Sequence, residues 1–399
     1  MHAILSEKKT LFMFAAVVMV GGIVLGFLSD SYFESSPPLP KSQRHDTLSA
    51  LQWFRSCEVF PFEGQFDRSP RYACYQRAFF DGMKEHGLAV ISEAFDSYIA
   101  TKEGMVLQGA PCHSLGHDLG QAAIMIGYDG LDILTHCSSA CEGGCFNGVG
   151  HTYLTLGNSI ESVDGFCNPP DYAGDKKRVS ACYHGFGHGI TDLFGTDLQA
   201  NLDRCDVLQD EEGRFQCGHA VFMVLSTLSP EQIQRSTMPQ DIASFCVQVD
   251  ATYRRSCFIF AGYLAYGRTL NPKEAFATCR RVPSDYQREC TARIGESLFL
   301  ATPNDPLFVA ESCSEGYNEE MISLCISGAA KTVIADTNST PEVGFAICNT
   351  APDAFRAYCH ERLGDVIEEF LGIQNRITLC KELGGPFHEV CLGQRSQEL

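Results

Sequence analysis

The sequence contains no Cys-x-x-Cys pair, no sustained basic run beyond its first ten residues, and no stretch where polar and apolar residues alternate with period two. The first absence excludes a zinc ribbon, a thioredoxin-type redox centre and the Cys-x-x-Cys-His attachment of c-type haem. The second, with 30 Lys plus Arg against 49 Asp plus Glu and a formal net charge of -19, excludes nucleic acid as a partner, because phosphate binding needs clustered cations. The third argues against a sheet, so the chain is read as all-α. No G-x-S-x-G elbow supports a metal-independent hydrolase, and no D-x-[DN]-x-[DN]-G loop supports a calcium site.

What is abundant is cysteine, 20 in 399 residues, an even number that reads as disulfides in an oxidising compartment. Residues Leu11 to Leu28 form an uncharged apolar run of 18 positions, which as a helix rising about 1.5 Å per residue just crosses a ~30 Å hydrocarbon layer. Lys8 and Lys9 precede it, and Asp30 and Glu34 follow. The positive-inside bias therefore puts residues 1–10 in the cytoplasm and the rest in the periplasm, a lumen or the extracellular space. The run exceeds a usual signal-peptide core and no A-x-A-like site follows it, so it reads as an uncleaved single-pass anchor, with a cleaved signal as the alternative. Residues 29–50, with Pro37, Pro38 and Pro40, form a spacer.

The cysteines mark a repeat. Cys205/Cys217, Cys246/Cys257, Cys279/Cys290, Cys313/Cys325, Cys348/Cys359 and Cys380/Cys391 are each 11 or 12 positions apart, and their second members recur every 32 to 40 positions. The register extends back through Cys182 (with Cys167), Cys145, Cys112 and Cys74 (with Cys57), giving about ten units of roughly 35 residues. The four cysteines Cys112, Cys137, Cys141 and Cys145 allow three connectivities, of which register favours Cys137 with Cys145 inside a unit and Cys112 with Cys141 between units. Met238-Pro239, Asn271-Pro272, Asn304-Asp305-Pro306 and Thr340-Pro341 are helix-start signals ahead of the first cysteines. The second cysteine then opens a longer helix such as Tyr286 to Ala301, where Cys290, Ile294 and Leu298 share a face. The expected fold is an array of disulfide-stapled helical hairpins stacked as a solenoid, with a closed α/α toroid as the alternative. In unit length it resembles tetratricopeptide-type solenoids, but that family's residue signature is missing, so the likeness is architectural and implies no function. Residues 51–225 are the histidine-bearing repeats and 226–399 the remaining stapled ones.

Six of the twelve histidines, His113, His117, His151, His184, His188 and His219, follow the second cysteine of four consecutive units. The aligned starts are Cys112-HSLGH, Cys145-FNGVGH, Cys182-YHGFGH and Cys217-GHAVFM. Glycine five places after the cysteine (Gly150, Gly187, Gly262, Gly295, Gly364) recurs with or without histidine, so it belongs to the scaffold. His113/His117 and His184/His188 are four apart, Asp192 extends the second row, and Asn147, His151 and Thr155 form a row in the unit between. Rows on neighbouring helices are expected to converge on a divalent transition metal, with zinc foremost, copper or iron as alternatives, and non-covalent haem as a remote one. All six histidines are candidate ligands. If the site is catalytic, Asp192 or His219 is the candidate base. The rival reading is an interaction scaffold for a protein or glycan with structural histidines. Arg71, Arg214, Arg254 and Arg356, three places before a second cysteine, are expected to pair with carboxylates or cap the preceding helix. His136 is a lesser candidate, and His2, His45, His86, His360 and His388 have no partner at useful spacing.

Protease added to intact cells, or to spheroplasts if there is an outer envelope, is expected to remove everything beyond the anchor. A mature N-terminus after residue 28 would identify the segment as a cleaved signal instead.

Overall fold

A computed structural model describes residues 47–393, apart from 61–68, 102–109, 139–140, 173, 227, 229–231, 234–238, 303–304, 336–340, 372 and 384–386. The apolar run of residues 11–28 and residues 29–46 of the spacer lie outside the described residues, while the last four spacer positions, 47–50, already belong to the helix Thr47–Ser56; none of the described helices is long and apolar enough to cross a membrane. All described elements are helices, mostly in short–long alternation. The long ones are α1 (Pro70–His86), α2 (Ala110–Ile126), α3 (Gly144–Thr155), α4 (Lys176–Phe194), α5 (Glu211–Ser226), α6 (Ala251–Thr269), α7 (Ser284–Ala301), α8 (Glu319–Ala335) and α9 (Asp353–Leu371).

All 20 cysteines are paired in ten disulfides. Eight join the two cysteines of the paired spacing, from Cys57/Cys74 to Cys380/Cys391. Cys137 bonds Cys145 and Cys112 bonds Cys141, as register favoured. A short helix thus ends at the first cysteine and is tied to the wall of the long helix that follows.

Capping sets the helix starts. The Ser69, Asn271 and Asp305 side chains accept from the backbone N–H groups of Tyr72, Lys273 and Phe308, each with proline in the first turn. Near Pro239 the start falls later than expected: Asp241 is the cap, accepting from Ser244 N–H, and the helix begins at Ile242. The four arginines before second cysteines cap carbonyls at the end of the preceding segment. Arg71 donates to the Glu58 carbonyl at 2.7 Å, Arg214 to Leu208 at 2.9 Å, Arg254 to Val249 at 3.1 Å and Arg356 to Ala351 at 3.2 Å. Gln287 takes the same place in its unit, donating to Val282 O at 3.0 Å. Such donors satisfy helix-end carbonyls that have no partner within the helix. Arg356 adds a carboxylate, Asp353 at 2.7 Å.

Consecutive long helices pack side by side, and extensive contacts among the described residues join only near neighbours along the chain. Among the described residues no extensive contact links the first units to the last, which is the sequential stacking a solenoid requires. The recurrent glycines explain the close stacking. A Cβ on Gly150 would lie 2.6 Å from the Cys182 carbonyl oxygen, and one on Gly262 would lie 2.5 Å from that of Cys290. Gly187, Gly295 and Gly364 face the Cys217, Cys325 and Cys391 carbonyls in the same way. Each unit therefore rests its glycine on the backbone beside the next unit's second cysteine. Cys290, Ile294 and Leu298 are fully buried on the predicted face of α7.

Replacing Gly295 with leucine is expected to destabilise the fold by at least ~2 kcal/mol, since the obstacle is backbone and cannot repack. Urea unfolding with disulfides intact measures it, with Gly165→Leu, an exposed helical position where a Cβ meets nothing within 4 Å, as the comparison; equal losses would remove the stacking role from Gly295.

Candidate functional site

The histidine-bearing units occupy α2 to α5, and the second cysteine of each unit sets which residues face the seam between them. Positions two and six after that cysteine are Asn147 and His151 on α3, His184 and His188 on α4, and His219 and Met223 on α5. On α2 the pair falls one place early, at His113 and His117, in the unit whose Cys112 bonds Cys141 rather than a partner of its own unit.

The structure brings the candidates together. His113 and His117 face each other Nε2 to Nε2 at 3.1 Å, and His184 and His188 do the same at 3.2 Å. The His117 and His188 rings lie 6.2 Å apart between centroids, and those of His184 and His219 lie 5.8 Å apart. His151 Nε2 is hydrogen-bonded to the carboxylate of Asp192, so Asp192 reaches across to α3 instead of merely extending the α4 row. Thr155, by contrast, donates to its own Thr152 carbonyl at 2.7 Å and takes no part in the cluster.

The second ring nitrogens are also held. His113 Nδ1 lies 3.1 Å from the Cys141 carbonyl oxygen and donates to it, which leaves Nε2 as a bare lone pair. His184 is held by the Gln216 backbone carbonyl on α5. His219 Nδ1 lies 3.0 Å from the buried Ser256 hydroxyl on α6. Tethering one nitrogen to a carbonyl while the other faces the site is how proteins orient metal-ligating imidazoles.

Burial decides the protonation of the cluster. It pushes His117 and His188 well below the ordinary histidine range, His184 down to about 3 and His219 to about 4, and it also lowers His113. Neighbouring imidazoles add repulsion at His117, His184 and His188, while Arg293 and Arg255 do so at His219. The seam therefore presents neutral imidazoles near pH 7. The hydrogen bond from His151 holds Asp192 below the usual carboxylate range, so it stays ionised.

Among the described residues, no three His, Cys, Asp or Glu side chains surround one point as the ligands of an ion. The arrangement offers two facing pairs rather than one finished shell. It also holds an unsatisfied acceptor: Asn147, only 6% exposed, has a buried Oδ1 with no hydrogen-bond partner among the described residues, in the register of His184 and His219.

Two residues near the seam were not anticipated. Asp118, beside His117 in sequence, is buried against α1, accepts from Gln76 at 3.0 Å, and is pushed by burial up to about 6. Ser256 orients His219 from the next unit. Adjacency to His117 could have flagged Asp118; nothing in the local sequence marks Ser256. One expectation is corrected. His360 has partners after all, since it is fully buried, bonded through Nε2 to Asn349 Oδ1 at 3.1 Å and stacked 4.9 Å from Phe387. It takes no part in the cluster, and its burial and ring stacking make its loss costly to stability. His136 Nδ1 lies 3.0 Å from the Asp132 carbonyl oxygen at the surface.

No protein-family model matches the chain, and no curated protein or solved structure matches it significantly.

A group held neutral in the folded state but ionising at about 6.5 when unfolded favours unfolding as protons are added. The cluster's stabilisation is thus complete above pH ~6.5 and is lost as pH falls toward the folded values; Asp118, shifted upward, opposes this between about 4 and 6 with a single proton. In metal-free buffer the urea midpoint is expected to fall from pH 7 to pH 5, with a slope exceeding ~1.4 kcal/mol per pH unit. The double variant His184→Gln with His188→Gln should flatten it. An unchanged slope would show that these imidazoles titrate normally.

Proposed function

We propose that this chain is a membrane-anchored, extracytoplasmic helical-repeat protein whose N-terminal units bind a divalent transition metal, zinc foremost. The donors are drawn from His113, His117, His151, His184, His188 and His219. The observation that carries the reading is the pair of facing imidazoles on α2 and α4, with Nε2 atoms 3.1 and 3.2 Å apart. Two nitrogens bonded to one zinc at ~2.0–2.1 Å with a tetrahedral angle lie about 3.4 Å apart. Without an ion the same spacing holds an N–H···N bond inside each pair, so each pair has two donors nearly in place. The remaining donors come from across the seam, where the His117 and His188 rings are 6.2 Å apart and side-chain rotation brings a third nitrogen to either pair. The unpartnered Oδ1 of Asn147 supports the reading, because a buried acceptor among neutral imidazoles is relieved by a cation or its bound water.

The ten disulfides support an oxidising compartment, where thiols do not compete for the metal. For a catalytic site, the ionised Asp192, roughly half exposed and joined to His151, is a base at the solvent edge. His219, held neutral, is a base at the opposite end of the seam.

Metal analysis of the full-length chain, purified in detergent and dialysed against zinc, is expected to find stoichiometric zinc. His188→Ala should abolish it with helix content and disulfides intact, and Asn147→Ala should weaken it. His360→Ala should keep the zinc while lowering thermal stability. Full retention by His188→Ala, or no zinc in the unaltered chain, overturns the assignment.

A further inference from the structure

The face that carries the histidines does not end with them. Positions two and six after the second cysteine continue as Ile259 on α6, Ala292 and Glu296 on α7, Ser327 and Lys331 on α8, and Glu361 and Asp365 on α9. These residues line a groove of about 660 Å³ that runs across α5 to α9. Its α5 end is His219, whose ring is 5.8 Å from His184 in the seam. Seam and groove are one stripe with two chemistries, imidazole in the earlier units and mixed charge in the later ones.

The charges of the groove are unevenly matched. Arg293 pairs with Glu296, Arg362 with Asp365 at 3.0 Å, and Arg288 with Glu320 on α8. Lys331 and Glu289, both exposed and both lining the groove, have no ion-pair partner among the described residues. Between the charges lie Leu324, Val366 and Tyr358. We propose that this groove is a docking site for an extended polypeptide segment bearing charges of both signs, laid across α6 to α9 with one end at His219.

Charge complementarity selects that occupant. A nucleic acid or acidic glycan would meet Glu289, Glu296, Glu361 and Asp365, four carboxylates lining the same groove. A neutral glycan leaves Lys331 and Glu289 unanswered and finds only Tyr358 as a stacking platform. A peptide supplies ammonium and carboxylate groups together with apolar side chains. Helices stacked at ~8–10 Å present a new groove residue about every three residues of a chain rising ~3.3 Å per residue. The four gaps from α5 to α9 then take roughly twelve residues, a length at which several weak contacts add to useful affinity. Binding in the groove stands on its own, and only the arrival of one peptide end at a metal rests on the zinc reading.

The test is selection of random dodecapeptides displayed on phage against the full-length chain in buffer containing EDTA. Peptides carrying both Lys or Arg and Asp or Glu are expected to be enriched at least tenfold. Ser327→Trp, which fills the groove floor, should abolish the enrichment. Lys331→Glu, at an exposed position that leaves the fold alone, should shift the selected peptides toward basic ones. No enrichment, enrichment of uniformly acidic sequences, or identical enrichment with both variants overturns the proposal. So does binding of chitotetraose without binding of peptides. Because EDTA removes zinc, this result and the zinc measurement fail independently.

Discussion

The disulfide inside each unit is the constraint on which the other features depend. A short helix of five to eleven residues cannot hold itself in water, since helices under about a dozen residues are marginal and gain stability only by packing. Tying its last turn to the following long helix closes a small loop, which in the chain-entropy model is worth about 3 kcal/mol for some 15 residues, a model-dependent figure. The bond also sets a coordinate origin. Its second cysteine fixes which way the long helix faces, and from that follow the arginine three places earlier, the glycine five places later and the seam positions at two and six.

That origin also explains how units stack. Each recurrent glycine rests on the carbonyl of the next unit's second cysteine, as Gly150 does on Cys182 and Gly262 on Cys290. Helix axes can then approach closely, and side chains at equivalent positions of neighbouring units come within reach of one another. Polar side chains gathered this way must satisfy each other. Imidazole suits the task because it remains neutral when burial opposes charge, whereas lysine or glutamate at His184 or His188 would be charged and unpaired. Farther along the stripe the units use charges instead, and there the groove is open to solvent, as the exposed Lys331 and Arg362 show.

The repeat, the helix class and the within-unit disulfides were legible because they depend on local spacing. Cys279 and Cys290, 11 apart in sequence, can hardly pair otherwise once both flank a tight turn. The convergence of the histidines was legible for a related reason, since a repeat carries equivalent positions to equivalent places. Even the one-residue offset of His113 and His117 was visible, although its connection with the Cys112 to Cys141 bridge was not. The role of Ser256 was hidden, because it comes from the next unit at a position with no chemical signature of its own. His360 was misjudged for the same reason: Phe345 and Phe387, which flank its ring, lie on other helices.

By itself, then, the sequence determined the class, the unit length, the ten staples and the set of histidines sharing a face, because each follows from distances along a helix or around a turn. Only the tertiary structure decided that Asp192 pairs across to His151 rather than along its own helix, and that, among the described residues, two imidazole pairs face each other without three donors around one point. It also joined the histidine seam to the charged groove through His219. Those outcomes depend on how far and at what angle one unit sits from the next, which is set by the backbone contact at each glycine and by side chains from several units at once.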